Sequence, residues 1–305
     1  MNKKIFLTGF IMLWTVSLYA GIASLNFLNR DYNAAYSGSA GAVSGVAGDG
    51  GDAIAIYNPA GILSGRQTEA SVSYMSYIQG ISYSMLSFAK NSKGGQLGLG
   101  SSIVYADYGS MAGEKEDASG GYADGSSYTY NDRDMMFLLT GAKALGSRLS
   151  FGINAKYVLQ KYDTYQSQWF LADLGARYLM GNAGLGISLN NMGVNLTAFD
   201  TKKEKAPMNV RLSGGLVIMN DKLKVGSDVI IPFSDSIKAG VGAEYRLLDY
   251  VFIRAGYKYE KQDLGALAGL RTGFGVKLKA FVIDYSFQPF SKLGNVHQVS
   301  IAYRR

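Results

Sequence analysis

The last thirty-five residues, Arg271 to Arg305, alternate apolar and polar side chains with period two through three successive segments. Thr272, Phe274, Val276 and Leu278 alternate with Arg271, Gly273, Gly275 and Lys277, and Phe281, Ile283, Tyr285 and Phe287 with Val282, Asp284, Ser286 and Gln288. A third segment sets Val299, Ile301 and Tyr303 against Gln298, Ser300 and Ala302. Only a strand sends alternate side chains to opposite faces. Three neighbouring strands with one apolar and one polar face need a covering layer or a surrounding apolar medium, so the pattern points to a β-barrel.

The N-terminus assigns a compartment. Lys3 and Lys4 precede an apolar run from Ile5 to Leu18, followed by the small residues Ala20, Gly21 and Ala23. This is the layout of a secretory signal peptide, with cleavage expected after Ala20 or Ala23. Read as a membrane anchor, the run is interrupted by Thr8, Gly9, Thr15 and Ser17. It also falls short of the ~20 apolar residues a spanning helix needs.

The remaining apolarity is dispersed. Nearly half of the residues are hydrophobic and 17% are charged, yet no later segment has the continuous apolarity of a membrane helix. Short alternating pieces of this kind are how a transmembrane barrel is written. The chain has no cysteine, so an exported protein of this length must be held together without disulfides, which a closed hydrogen-bonded barrel does. Only four prolines accompany 39 glycines and 22 tyrosines, which suits uninterrupted strands and tight turns. The net charge of +7 becomes +5 without Lys3 and Lys4 and is spread along the strands, so no nucleic-acid surface is expected.

Three units follow: a signal peptide over 1–20 (cleavage possibly at 23), a plug segment over 24–66 and an outer-membrane barrel over 67–305. In the plug segment, small residues such as Ala34, Gly38, Ala40 and Gly41 lead to Gly48-Asp49-Gly50-Gly51. Asp52 stands where an N-cap would, before a short helix over 53–57 that Asn58-Pro59 stops. From Thr68 onward, about fourteen candidate strands can be marked, an even number as in bacterial single-chain barrels. Tight turns such as Gly146-Ser147, Gly181-Asn182 and Asn220-Asp221 interleave with longer connections at 107–128, 195–206, 260–266 and 288–295. Every tight turn falls on the side of the termini, the periplasmic side of an outer-membrane barrel. The longest connection, Asp107 to Tyr128, contains Glu114, Glu116, Asp117 and Asp124 and reads as a mobile acidic external loop; it lacks the ligand spacing of an EF-hand.

Charged residues gather on one face of the better strands. Arg177, Asp228, Glu244, Arg254, Lys277 and Asp284 are candidates for a charge network lining the lumen, because a charge facing lipid at mid-depth costs ~2 to 4 kcal/mol. Tyrosines near strand ends, together with Tyr162 and Trp169, are candidates for the aromatic girdles. No catalytic constellation stands out: His297 is the single histidine and no G-x-S-x-G motif accompanies it, so the protein is read as non-enzymatic, without cofactor or metal. An esterase built around His297 is the competing idea.

Asp52-Ala-Ile-Ala-Ile-Tyr57-Asn58-Pro59-Ala60-Gly61 resembles the Asn-Pro-Ala-Gly segment near the N-terminus of FadL-type outer-membrane transporters. Gly275 to Ala280, Ile283-Asp284-Tyr285-Ser286-Phe287-Gln288-Pro289-Phe290 and Leu293-Gly294-Asn295-Val296-His297 are similar to the ending of the PorV/PorQ family within the same superfamily. The resemblance implies a fourteen-stranded barrel with an N-terminal plug and Asp52, Asn58, Pro59 and Gly61 as gating or ligand candidates. It implies passage of hydrophobic molecules across the outer membrane of a Gram-negative-type bacterium or, alternatively, a type IX secretion-associated barrel that binds cargo or partner proteins. Two departures stand out. Ser37-Gly38-Ser39-Ala40 occupies the place of Met-Gly-Gly-Ala, and the chain ends in Arg305 where the family usually ends in an aromatic, leaving Tyr303 to serve.

Overall fold

A computed structural model of the protein describes residues 25–42, 50–116, 122–199, 204–261 and 265–305, without the side chains of 114–116 and 122–126. The expected signal peptide lies outside the described residues. Fourteen antiparallel strands run β1 (Thr68–Ser76), β2 (Ser82–Asn91), β3 (Leu97–Glu116), β4 (Tyr122–Leu145), β5 (Leu149–Tyr162), β6 (Tyr165–Met180) and β7 (Ala183–Thr197), then β8 (Asn209–Ile218), β9 (Leu223–Pro232), β10 (Lys238–Leu248), β11 (Val251–Tyr259), β12 (Leu270–Leu278), β13 (Phe281–Pro289) and β14 (Asn295–Arg304). Each pairs with its sequence neighbours, and β1 pairs with β14 from Glu69↔Arg304 to Ser76↔His297, closing the barrel. No edge remains unpaired around the ring.

The period-two pattern decides which way each strand faces. In β14, Val296, Gln298, Ser300 and Ala302 are buried inside, while Val299 and Ile301 are exposed outside. The same split puts Leu99, Leu139, Phe151, Ile153, Val241 and Ile253 on the outer surface. An apolar exterior around a polar interior is the arrangement of a membrane-spanning barrel.

The tight connections between Leu145 and Leu149, Met180 and Ala183, Leu248 and Val251, and Leu278 and Phe281 share the end that holds the N-terminus of β1 and the C-terminus of β14. At the opposite end two expectations change. Tyr162 and Tyr165 are joined by a tight turn there. The expected loop at 107–128 is largely strand: Ser110↔Asn131 continues to Glu116↔Tyr122 as a two-stranded ribbon, with Asp117 outside the described residues. A ribbon standing in water needs no apolar face, so its sequence carries little alternation to detect.

The segment before β1 lies within the barrel. It comprises a 3-10 turn (Asn26–Asn29), α1 (Ala34–Gly38), α2 (Gly51–Ile54) and a 3-10 helix (Pro59–Ser64). Helix α1 lies against β11 to β14, α2 against β1 to β3, and the 3-10 helix against β2 to β6. The described parts of the segment therefore lie inside the ring, against its inner wall.

Candidate lumenal site

Close packing of the plug depends on glycines in the wall. At Gly226, Gly240 and Gly242, a Cβ would collide with the carbonyls of Ala42, Ala40 and Ser39, and at Gly38 it would lie 3.1 Å from the Cα of Gly273. Ser37-Gly38-Ser39-Ala40 therefore supports close seating despite its departure from the family pattern. The plug is then fastened by polar contacts. Lys258 Nζ lies 2.8 Å from the Asp31 carboxylate, and Gln288 donates to the Ser37 hydroxyl. Tyr36 donates to Asp228 at 3.1 Å and accepts from Arg211 at 2.6 Å. The Tyr36 and Tyr57 rings stack at 4.2 Å.

Burial dominates the titration of the plug tyrosines, pushing the Tyr36 and Tyr57 hydroxyls well above their ordinary range and keeping both neutral. Burial also acts to raise Asp31. Against it, the charge and hydrogen bond of the Lys258 ammonium, together with the Arg211 and Arg271 guanidinium groups, hold that carboxyl below the usual range.

Asp52 is not a helix cap. Gly50, in the left-handed region at φ 105°, caps α2, and Asp52 sits in its first turn. The Asp52 carboxylate turns to the wall and accepts from the Ser71 and Ser87 hydroxyls, each at 2.6 Å. Glu69 completes this anchor by accepting from the backbone N–H groups of Gly50 at 3.1 Å and Asp52 at 3.2 Å. Sequence reasoning had no access to this role, because the two serines lie on strands paired by tertiary register.

Asn58 is the cap of the following helix, accepting from the Ala60 N–H at 3.0 Å. Its amide also donates to the carbonyls of Ala176 at 3.1 Å and Ile187 at 3.3 Å, on β6 and β7. Pro59 opens the 3-10 helix and seats against Gly152 and Gly175. Gly61 leaves room for Ile54, whose Cγ2 a Cβ would strike.

The proposed charge network resolves into parts. Arg254 bridges Glu244 at 2.7 Å and Asp284 at 2.8 Å, and Lys224 meets Glu244 at 2.9 Å. Asp228 belongs to a second group with Arg211 at 3.6 Å. Lys277 shares the inward side of β12, whereas Arg177 lies apart on β6. A third group joins Lys156 to Asp173 at 2.8 Å and Asn154 to Asp173 at 2.7 Å.

The inner wall also carries an apolar row that strand patterning alone did not single out. Met85, Val104, Met136, Val158 and Trp169 face inward at one level, each the register partner of the next across β2 to β6. Leu138 and Leu171 adjoin them, and Leu25, Phe27 and Tyr32 of the plug pack into the same buried cluster. Asp134 and Gln160 bound the row on the ribbon side; Asn154 and Asp173 lie toward the turns. Trp169 is fully buried, with its indole N–H on Gln160 at 3.1 Å, and Tyr162 donates to Asp134. Neither is a girdle residue: both stand at inward positions of their strands. An alternation in which Met, Val and Trp occupy the expected polar phase was the available signal.

His297 lies on the outer side of β14 and shares a 2.8 Å hydrogen bond with the Tyr285 hydroxyl. No serine and carboxylate accompany it in the hydrogen bonds of the described residues, so the geometry offers no support for an esterase site.

No family model matches the sequence, and no curated protein matches it. Solved structures do match in fold. The toluene transporter TodX of Pseudomonas putida aligns with TM-score 0.64 at 13% identity, covering 90% of this chain and 98% of that one. The toluene transporter TbuX of Ralstonia pickettii aligns with TM-score 0.57 at 15% identity, and a FadL homologue of Pseudomonas aeruginosa with 0.56 at 12%. Each covers 90% of this chain and 98% of its own. At these identities the likeness establishes a FadL-like barrel fold.

Proposed function

We propose that the barrel sits in the outer membrane and passes hydrophobic small molecules through its lumen. The carrying observation is the inward row Met85, Val104, Met136, Val158 and Trp169, covered by Leu25 and Phe27 of the chain itself. A wall that only faced water would gain nothing from these side chains, whereas an apolar solute removed from water there gains about 25 cal/mol per Å² buried. The plug's apolar residues occupy the surface such a solute would use. Passage requires the segment around Leu25 to yield, with the turn at Asn58 to Gly61 as a second barrier. The likeness to barrels described as toluene transporters supports the same reading. The test is uptake of labelled toluene and of a labelled fatty acid into liposomes. Flux above empty liposomes, reduced in Met136→Glu, is expected, and flux equal to empty liposomes overturns the proposal.

A second reading, a secretion-associated barrel that binds cargo or partner proteins, is favoured by one observation. Among the described residues, the ribbon formed by Ser110–Glu116 and 122–131 has no ladder to β2 or β5, so its edges can pair with another extended chain. Crosslinking in native membranes tests it, and recovery of no exported protein or secretion component counts against it.

A further inference from the structure

Arg177 differs from the other buried arginines of the wall. Arg211 meets Asp228 and Tyr36, Arg254 meets Glu244 and Asp284, and Arg271 donates to the Ala268 and Leu270 carbonyls. Arg177 is 4% exposed, and its Nε and Nη2 are buried without a hydrogen-bond partner. Its register partners on β5 and β7 are Ser150 and Gly186, and Gly186 in turn faces Ser213 on β8. The next inward carboxylate along that row, Asp228, is already engaged by Arg211 and Tyr36. Two positions along β6, Gly175 receives Asn58 and Pro59, while the Asn58 amide holds the carbonyl of Ala176. The unpaired guanidinium therefore sits beside the plug turn, toward the end of the barrel that carries the tight turns.

We propose that Arg177 is an oxyanion-binding group that opens when the Asn58 to Gly61 turn lifts from β6 and β7, so that a bound anion favours the lifted plug. A guanidinium presents a planar fork of donors matched to carboxylate and phosphate, and a buried charge without a partner is unfavourable. With the plug seated, Nε and Nη2 are covered, so an anion binds the lifted conformer preferentially. Differential binding of this kind shifts the population toward that conformer. The shared ligand chemistry is a single oxyanion, supplied either by free inorganic phosphate or by the carboxylate of an amphipathic molecule. The inference concerns the plug turn and does not depend on what the apolar row carries.

The absence of cysteine makes the test direct, since Ala60→Cys creates a unique thiol in a fully buried position of the turn. Its rate of maleimide labelling is measured on the full barrel in detergent, in chloride, inorganic phosphate and decanoate at equal ionic strength. A several-fold acceleration by phosphate or decanoate is expected, lost in Arg177→Met and in Arg177→Gln and partly kept in Arg177→Lys. Acceleration by phosphate alone assigns the site to free inorganic anions, and by decanoate alone to amphiphiles. Equal rates in all three media overturn the proposal, as does an acceleration that survives in both Arg177→Met and Arg177→Gln.

Discussion

At Gly240, the absence of a single carbon decides whether the plug can sit. The strand would accept valine, but its Cβ would meet the Ala40 carbonyl. Gly240→Val should therefore leave the barrel closed and weaken seating by on the order of 1–3 kcal/mol, the usual range for overpacking. A single cysteine placed in the plug should then label faster than in the parent; an unchanged rate would show that Gly240 does not hold the plug. Asp31 acts through charge. Burial acts to raise its folded pKa, but Lys258, with Arg211 and Arg271, brings it below the unfolded value, so the seated state binds fewer protons. That contribution is present above the ordinary aspartate value of about 3.9 and is lost as pH falls through the lower folded value. Acidification should loosen the plug, and Asp31→Asn should be less stable at neutral pH with a shallower loss in acid. Equal acid slopes of the thermal midpoint would contradict this.

Among the elements, β7 departs from a regular strand. Its pairing with β6 shifts between Ala172 and Leu174, and Asn191 takes up the extra residue at φ 58°. The Asp173 carboxylate accepts from the Asn191 N–H at 2.8 Å, and Lys156 donates to the Asn191 side-chain oxygen at 2.9 Å. Left-handed backbone costs a side-chain-bearing residue about 1–2 kcal/mol, and more for a β-branched one. Asn191→Val should lower the thermal midpoint more than Asn191→Gly, and the reverse order would show that the bulge is not strained there. The β3–β4 ribbon gives the complementary lesson. Its sequence, with acidic residues among Gly and Ser over 107–128, reads as a loop, whereas β12 to β14 are legible from their alternation of apolar and polar residues.

For the whole molecule, closure and plugging should be separable. The ladder of the ring is complete without residues 25–66, and the seam is the eight-residue register of β1 with β14. The folded barrel should resist detergent and migrate differently on a gel before and after heating. Deletion of 25–66 should preserve that shift while raising conductance across a planar bilayer. If the deleted form has no heat-dependent shift, the plug is required for closure; if conductance is unchanged, the plug does not occlude the lumen.

The sequence by itself determined the strands of the ring, though not the β3–β4 ribbon, together with most of their inward and outward faces and the approximate count, because period two is a local property of a strand with one apolar and one polar face. It also marked Asn58 to Gly61 and the residues of the Glu244–Arg254–Asp284 cluster. Only the tertiary structure decided which residues share a level across strands. The apolar row from Met85 to Trp169, the seat of Asp52 between Ser71 and Ser87, and the isolation of Arg177 all depend on register and on where the plug comes to rest. Those relations join residues up to more than a hundred positions apart, as between Asn58 and Ala176, and no local pattern encodes them.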